Sequence, residues 1–193
     1  MKDLMKKNIK IECNEFFLET LNSNKISDRY LHWLNDPELN RFSQRAGENF
    51  SIDDIKEYID VSNMSNNILL LGIFLNESMK HIGNIQLRYF DKKNRLAEIS
   101  TLLGEKDYWG KGVIVEAARN LINFGFNELN IHKFVLGNIA PNRASSFKST
   151  TLGARLEGTR RAHFLFESKY VDVLEYGLLK EDFYKTFPEL NKK

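Results

Sequence analysis

The residues best suited to chemistry in this chain lie in one short stretch, Tyr108-Trp109-Gly110-Lys111-Gly112-Val113. Two glycines one residue apart follow an apolar run (Arg95 to Gly104) and precede a long helical pattern. Lacking side chains, they let backbone approach a bulky anion. The helix that follows offers unpaired N–H groups and the positive end of its dipole. That describes a phosphate seat. A Walker loop would place Ser or Thr after Gly-Lys, but Gly112 is followed by Val113. The dinucleotide fingerprint fails as well, since Val115 stands where its third glycine would be. A glycine turn that merely begins a helix is the plain alternative.

Other reactive residue types point to little. His32, His81, His132 and His163 lack paired ligand spacing, so no metal is expected. There is no G-x-S-x-G elbow for a hydrolase. Cys13, the lone cysteine, excludes an internal disulfide and reads as a small core residue rather than a nucleophile.

The elements that must position the loop read as one continuous α/β chain. Ile9, Ile11 and Cys13 alternate as in a strand, and Ser27 or Asp28 caps a short helix through Leu34, which Asn35-Asp36-Pro37 stops. Arg41 to Phe50 reads as an exposed loop. Ser51 with Asp53 and Asp54 then starts a helix with Ile52, Ile55, Tyr58 and Ile59 on one face. Ile68 to Leu75, His81 to Phe90 and the run before the loop form an antiparallel meander. Val113, Ala117, Leu121, Ile122 and Gly125 recur at helical spacing, and Phe134 to Ile139 is a further strand. Asn142 opens a short helix ending near Leu152-Gly153, and strands Arg155 to Phe166 and Tyr170 to Leu179 close the chain. The three prolines all fall at boundaries, and no linker or repeat interrupts the order.

Composition sets bounds. A length of 193 residues is most simply one domain, and 28 basic against 26 acidic side chains give net +2, which singles out no nucleic-acid partner. Met1 to Lys10 is basic, but no apolar run of signal-peptide type follows it, and nothing reaches the length of a membrane span. A soluble, cytoplasmic protein acting at neither nucleic acid nor membrane is expected.

The order of elements resembles the GNAT superfamily of acyl-CoA N-acyltransferases, and within it the ribosomal-protein-N-acetyltransferase-like branch. The carrying stretches are Tyr30 to Glu38, His81 to Ile85, Ala97-Glu98-Ile99, Tyr108 to Gly112 with Glu116-Ala117, Phe126 to Lys133, Asn142 with Ser145, Leu152-Gly153-Ala154 and Leu156-Glu157-Gly158. The match covers about Ile9 to Phe183, within a single domain taken as 1–193. It implies an α/β (α+β) domain with a mixed, mostly antiparallel sheet of about seven strands flanked by about four helices. It also implies acetyl-CoA as co-substrate and transfer to a primary amine by direct attack.

The resemblance assigns roles residue by residue. Tyr108, Trp109, Gly110, Lys111, Gly112 and Val113 would hold the CoA pyrophosphate, with Leu102 and Leu103 against the pantetheine. Asn138, Asn142 and Ser145 would sit beside the thiol. An alkyl ammonium must lose a proton before attack, and Glu98 is the candidate base, with Ser145 the candidate donor to the leaving thiolate. Each has a bland counterpart: Glu98 as an exposed strand glutamate, Ser145 as a helix-turn hydroxyl bonding backbone.

Two positions depart from the family pattern. Many members keep a small residue where this chain has Ile114, and many place a tyrosine general acid where it has Ser149. A non-catalytic acyl-CoA-binding protein is therefore the competing class. Trp33, Arg41, Arg45 and Arg160, with Arg161, fall in segments where the acceptor would enter. Converging guanidinium groups would favour an amino-sugar nucleotide, since they match phosphates. A protein N-terminus is the other acceptor class, four solvated arginines the bland reading, and a homodimer one assembly open to the chain.

Overall fold

The computed structural model describes residues 8–191, so Met1–Lys7 of the basic leading segment lies outside the described residues. Eight strands run β1 Lys10–Glu12, β2 Phe16–Thr20, β3 Ile68–Leu75, β4 His81–Asp91, β5 Leu96–Leu103, β6 Lys133–Ile139, β7 Arg155–Phe166 and β8 Lys169–Leu179. Six α-helices accompany them: α1 Asp28–Asn35, α2 Pro37–Asn40, α3 Ile52–Met64, α4 Val113–Glu128, α5 Arg143–Thr151 and α6 Lys180–Thr186. The strands form a mixed sheet in the order β1-β2-β3-β4-β5-β6-β8-β7. The fold class expected from the sequence holds, with one more strand and two more helices than the pattern reveals.

The additions have local causes. In β2, Phe16, Phe17 and Leu18 are all buried, so no alternation marks the strand. Asn35-Asp36-Pro37 ends α1 at Asn35, as expected, and Asp36-Pro37 also starts α2, which the pattern does not reveal. The Asp36 carboxylate accepts from Glu38 N at 2.8 Å and Leu39 N at 3.3 Å, and Pro37 stands at the first turn, where its missing N–H costs nothing. At α3, Ser51 and Asp54 form a reciprocal capping box.

The chain divides into two compact units. One comprises residues up to Arg88 with Ser100–Asn120, the other Tyr89–Ile99 with Leu121 onward. In the first, β1, β2, β3 and β4 pair antiparallel in sequence. Leu21, Tyr30, Trp33, Ile55, Ile59 and Leu70 form a core beneath α1 and α3, with Leu102 packed against it. In the second, β8 pairs antiparallel with β6 on one side and β7 on the other. Its core includes Phe126, whose ring meets Phe134 edge-on at 5.1 Å and Phe183 at 5.7 Å.

One pairing is exceptional. β5 and β6 run parallel, and their ladder consists of two residue pairs, Leu96↔Lys133 and Ala97↔Phe134. A parallel pair needs a crossover, and α4 supplies it. From Val135 to Ile139, β6 pairs with β8 and, among the described residues, has no ladder partner in β5.

Candidate functional site

In the first unit, β5 ends in Leu102 and Leu103, both half-buried, and a short 3-10 turn, Lys106–Tyr108, leads into the glycine loop. Gly104 is required here because a Cβ would stand 1.9 Å from the Trp33 ring. The Trp109 indole is exposed, and its Nε1 donates to Leu103 O at 2.9 Å, which ties the loop to the strand end. Lys106 is drawn between Asp36, at 3.1 Å, and Glu38. Gly110 and Gly112 have φ of +73° and +80°, the left-handed region that favours glycine. Nothing lies within 4 Å of the place a Cβ would take at either, so this backbone is open to a bulky ligand. Lys111 is exposed with its ammonium 5.4 Å from the Tyr108 ring, and Val113 is buried, anchoring the start of α4. Ile114 is half-buried.

The residues named for the acceptor in this unit have distinct settings. Trp33 is a core residue, 4% exposed, because Gly104 lets the loop close over it. Arg45 is bonded through Nε to Glu48 at 2.7 Å and lies over the Phe50 ring at 4.1 Å. Arg41 is exposed, with its guanidinium 5.4 Å from the Phe42 ring.

In the second unit, Asn138, Asn142 and Ser145 come together. Asn142 caps α5, its side chain accepting from Ser145 N at 3.1 Å. The Ser145 hydroxyl donates to Asn138 Oδ1 at 2.7 Å, and Asn138 Nδ2 donates to Ser149 Oγ at 2.9 Å. Ser149 Oγ in turn donates to the Ser145 carbonyl at 3.1 Å. Ser149, noted in the sequence only as a missing tyrosine, thus closes a buried polar network. The Ser145 proton points at Asn138, so donation to another group requires the hydroxyl to turn. Glu98 is half-buried and is the first residue of β5 past the two-pair ladder. Arg160 is not an open guanidinium: Nε donates to Glu175 Oε1 at 2.7 Å, Nη2 donates to the same oxygen, and Nη1 donates to His163 Nε2 at 2.7 Å. Arg161, beside it, is exposed. The Glu175 contact escaped the sequence because it depends on the register of β7 against β8, which local patterns do not encode.

The remaining reactive groups have structural settings. His81 is stacked on Phe74 at 4.8 Å and edge-on to Trp33 at 4.9 Å. Its Nε2 donates to Gly83 O at 2.9 Å and Asn84 Oδ1 at 2.8 Å, and burial lowers its pKa below the usual range. Burial, reinforced by Glu116, pushes the Cys13 thiol up to about 12, so it holds its proton at neutral pH. Among the described residues, no group of three or more His, Cys, Asp or Glu is placed to hold a metal ion.

A family model described as Acetyltransferase (GNAT) domain matches residues 16–155, which includes β2 to α5, the glycine loop and the Asn138–Ser149 network. The chain belongs to the GNAT acetyltransferase family. This acetyltransferase is 27% identical to an uncharacterised N-acetyltransferase, p20, of Bacillus licheniformis over 164 residues, 81% of this chain and 89% of that protein. It is 28% identical over 127 residues to a Bacillus subtilis protein provisionally named as the ribosomal N-acetyltransferase YdaF, covering 66% of this chain and 65% of that one. Its fold matches that of the microcin C7 self-immunity acetyltransferase MccE, solved with acetyl-CoA and AMP. The TM-score is 0.74 at 22% identity, over 86% of this chain and 93% of that one. No helix among the described residues is long and apolar enough to cross a membrane.

Proposed function

We propose that this chain is one acyltransferase domain, with its core at about 9–183, that moves an acetyl group from acetyl-CoA to a primary amine in the cytoplasm. The observation carrying the cofactor assignment is the loop of Gly110 and Gly112, with left-handed backbone and open space above it, at the start of a long helix. Backbone N–H groups there suit a pyrophosphate, and Lys111 adds charge without needing a fixed geometry. Acetyl-CoA supplies the acetyl group already activated as a thioester. Leu102 and Leu103 would flank its pantetheine.

In the proposed chemistry, Glu98 takes the proton that the acceptor ammonium must lose before its nitrogen can attack. Ser145, held by Asn138 and Asn142, turns its hydroxyl toward the departing sulfur and gives it a proton, regaining one from the attacking nitrogen, which sheds it as the amide forms. The acceptor class favoured is an amino-sugar nucleotide. Exposed Arg161 supports it, as does the AMP held by the structural relative MccE. The engagement of Arg45 by Glu48 and of Arg160 by Glu175 weakens it and gives weight to a protein N-terminus, in keeping with the provisional naming of the Bacillus subtilis relative as a ribosomal N-acetyltransferase.

The test is thiol release from acetyl-CoA with a UDP-amino sugar, a polyamine and an alanine-terminated peptide. The wild type should turn over one of them, and Glu98→Gln should lower kcat at least about tenfold with acetyl-CoA affinity unchanged. Acetyl-CoA binding with no turnover of any amine would overturn the reading.

A further inference from the structure

The exposed face of the β6–β8–β7 ladder carries two ion pairs, each laid over a glycine. Register places Gly137 opposite Glu175 and Val135 opposite Gly177, so these residues share one face. A Cβ at Gly177 would meet the Glu157 carboxylate, and one at Gly137 would stand 3.3 Å from Glu175 Oε1 and 3.7 Å from Arg160 Nη2. Both glycines make room for charged side chains lying flat against the sheet.

The two pairs differ in how they are satisfied. Glu157 gives both oxygens to one ammonium, with Lys133 Nζ at 2.7 and 2.6 Å. Glu175 gives only one: Nε and Nη2 of Arg160 both converge on Oε1, and Arg160 turns Nη1 to His163 instead of completing a fork. Oε2 of Glu175 has no partner among the described residues. This side chain is 24% exposed, against 50% for Arg160, so the carboxylate sits low on the sheet while the arginine covers one side of it. A half-exposed ion pair contributes little stability, about 0–1 kcal/mol, which gives no structural reason for so particular an arrangement. Gly137 directly precedes Asn138. The Asn138–Ser145 network therefore lies on the opposite face of β6, one residue along.

We infer that Glu175 Oε2 is the seat for the acceptor's ammonium group, with Arg160 as the residue that positions it. The inference rests on the amine-acetyltransferase reading above. An ammonium has three donors and no acceptor, and a carboxylate oxygen with open lone pairs over a glycine-made depression is its complement. Arg160 fixes Oε1 by two donors, so the carboxylate cannot rotate away. His163 Nε2 accepts from the arginine, which places the imidazole proton on Nδ1 and holds the guanidinium plane. The seat selects a cationic primary amine, whose proton passes to Glu98, the base proposed above, before the neutral nitrogen attacks.

The experiment uses the amine that the wild type turns over best among the three probes named above. Glu175→Gln keeps the size and loses the charge. It should raise the KM for the amine about tenfold or more, the loss of one charge-assisted hydrogen bond. It should leave kcat within about threefold and acetyl-CoA affinity, measured by titration, unchanged. Glu175→Asp should recover part of the amine KM, and Arg160→Lys should raise it by less than Glu175→Gln. A KM in Glu175→Gln equal to the wild type's, with turnover intact, overturns the seat and leaves the enzyme reading standing. Loss of acetyl-CoA binding together with amine binding assigns Glu175 a structural role and overturns the seat as well. A wild type that turns over none of the probes overturns both.

Discussion

Lys148 offers the sharpest test of the physical reasoning. It lies in α5 one turn after Ser145, is 8% exposed, and burial lowers its pKa from 10.5 to about 8. Below pH 8 the folded protein must therefore hold an ammonium ion largely out of water. The sign follows from linkage. Between pH 8 and 10.5 the unfolded chain binds more protons than the folded one, so the contribution of this group to stability rises with pH across that window. At about 1.4 kcal/mol per pH unit, the penalty is about 3 kcal/mol at neutral pH and vanishes above 10.5. Lys148→Met keeps a long flexible chain of similar volume and removes the charge. It should stabilise the protein at pH 7 by about 2–3 kcal/mol, or about 4–12 °C in Tm for a chain of this size.

The decisive measurement is the difference between the two proteins in urea melts at pH 7 and pH 10.5. Cys13, Tyr30 and Tyr89, whose pKa values burial raises, destabilise the fold as pH climbs. They are common to both proteins, so their effect cancels, and a packing change in the variant is independent of pH. The advantage of Lys148→Met should shrink by about 3 kcal/mol between the two pH values. An advantage that is the same at both would refute the buried-charge argument.

Two further outcomes probe the first unit. Gly104→Ala should cost about 1–3 kcal/mol, because its Cβ would stand 1.9 Å from the ring of a buried tryptophan; a melting curve within about 0.5 kcal/mol of wild type would show that the loop shifts freely. His81, whose pKa burial lowers, should leave stability level above pH 6.5 and reduce it as pH falls from there through the folded value. His81→Phe should remove that slope in thermal melts from pH 7.5 to 5, and parallel curves would count against a buried neutral imidazole.

How much of this was legible in the sequence depends on how far each feature reaches along the chain. β3 was read to its exact ends, and the Ser51 cap of α3 by its position, because alternation and capping are satisfied within a few residues. The three consecutive buried residues of β2 hide its period, and α6 is too short to show one. Asp36-Pro37 was ambiguous for a chemical reason: the same pair ends one helix and begins the next.

The candidate site divides along the same line. The glycine loop between strand and helix was set by the sequence alone, because left-handed backbone with no side chain is a local property of Gly110 and Gly112. Ser145, Asn138 and Asn142 could be nominated from their order along the chain. Only the tertiary structure decided that Ser149 joins them, that the Trp33 ring lies under Gly104, and that the β5–β6 ladder stops after two pairs. It also decided that Arg160 serves Glu175. These contacts depend on strand register and burial, which are settled when distant segments pack together and which no run of neighbouring residues specifies.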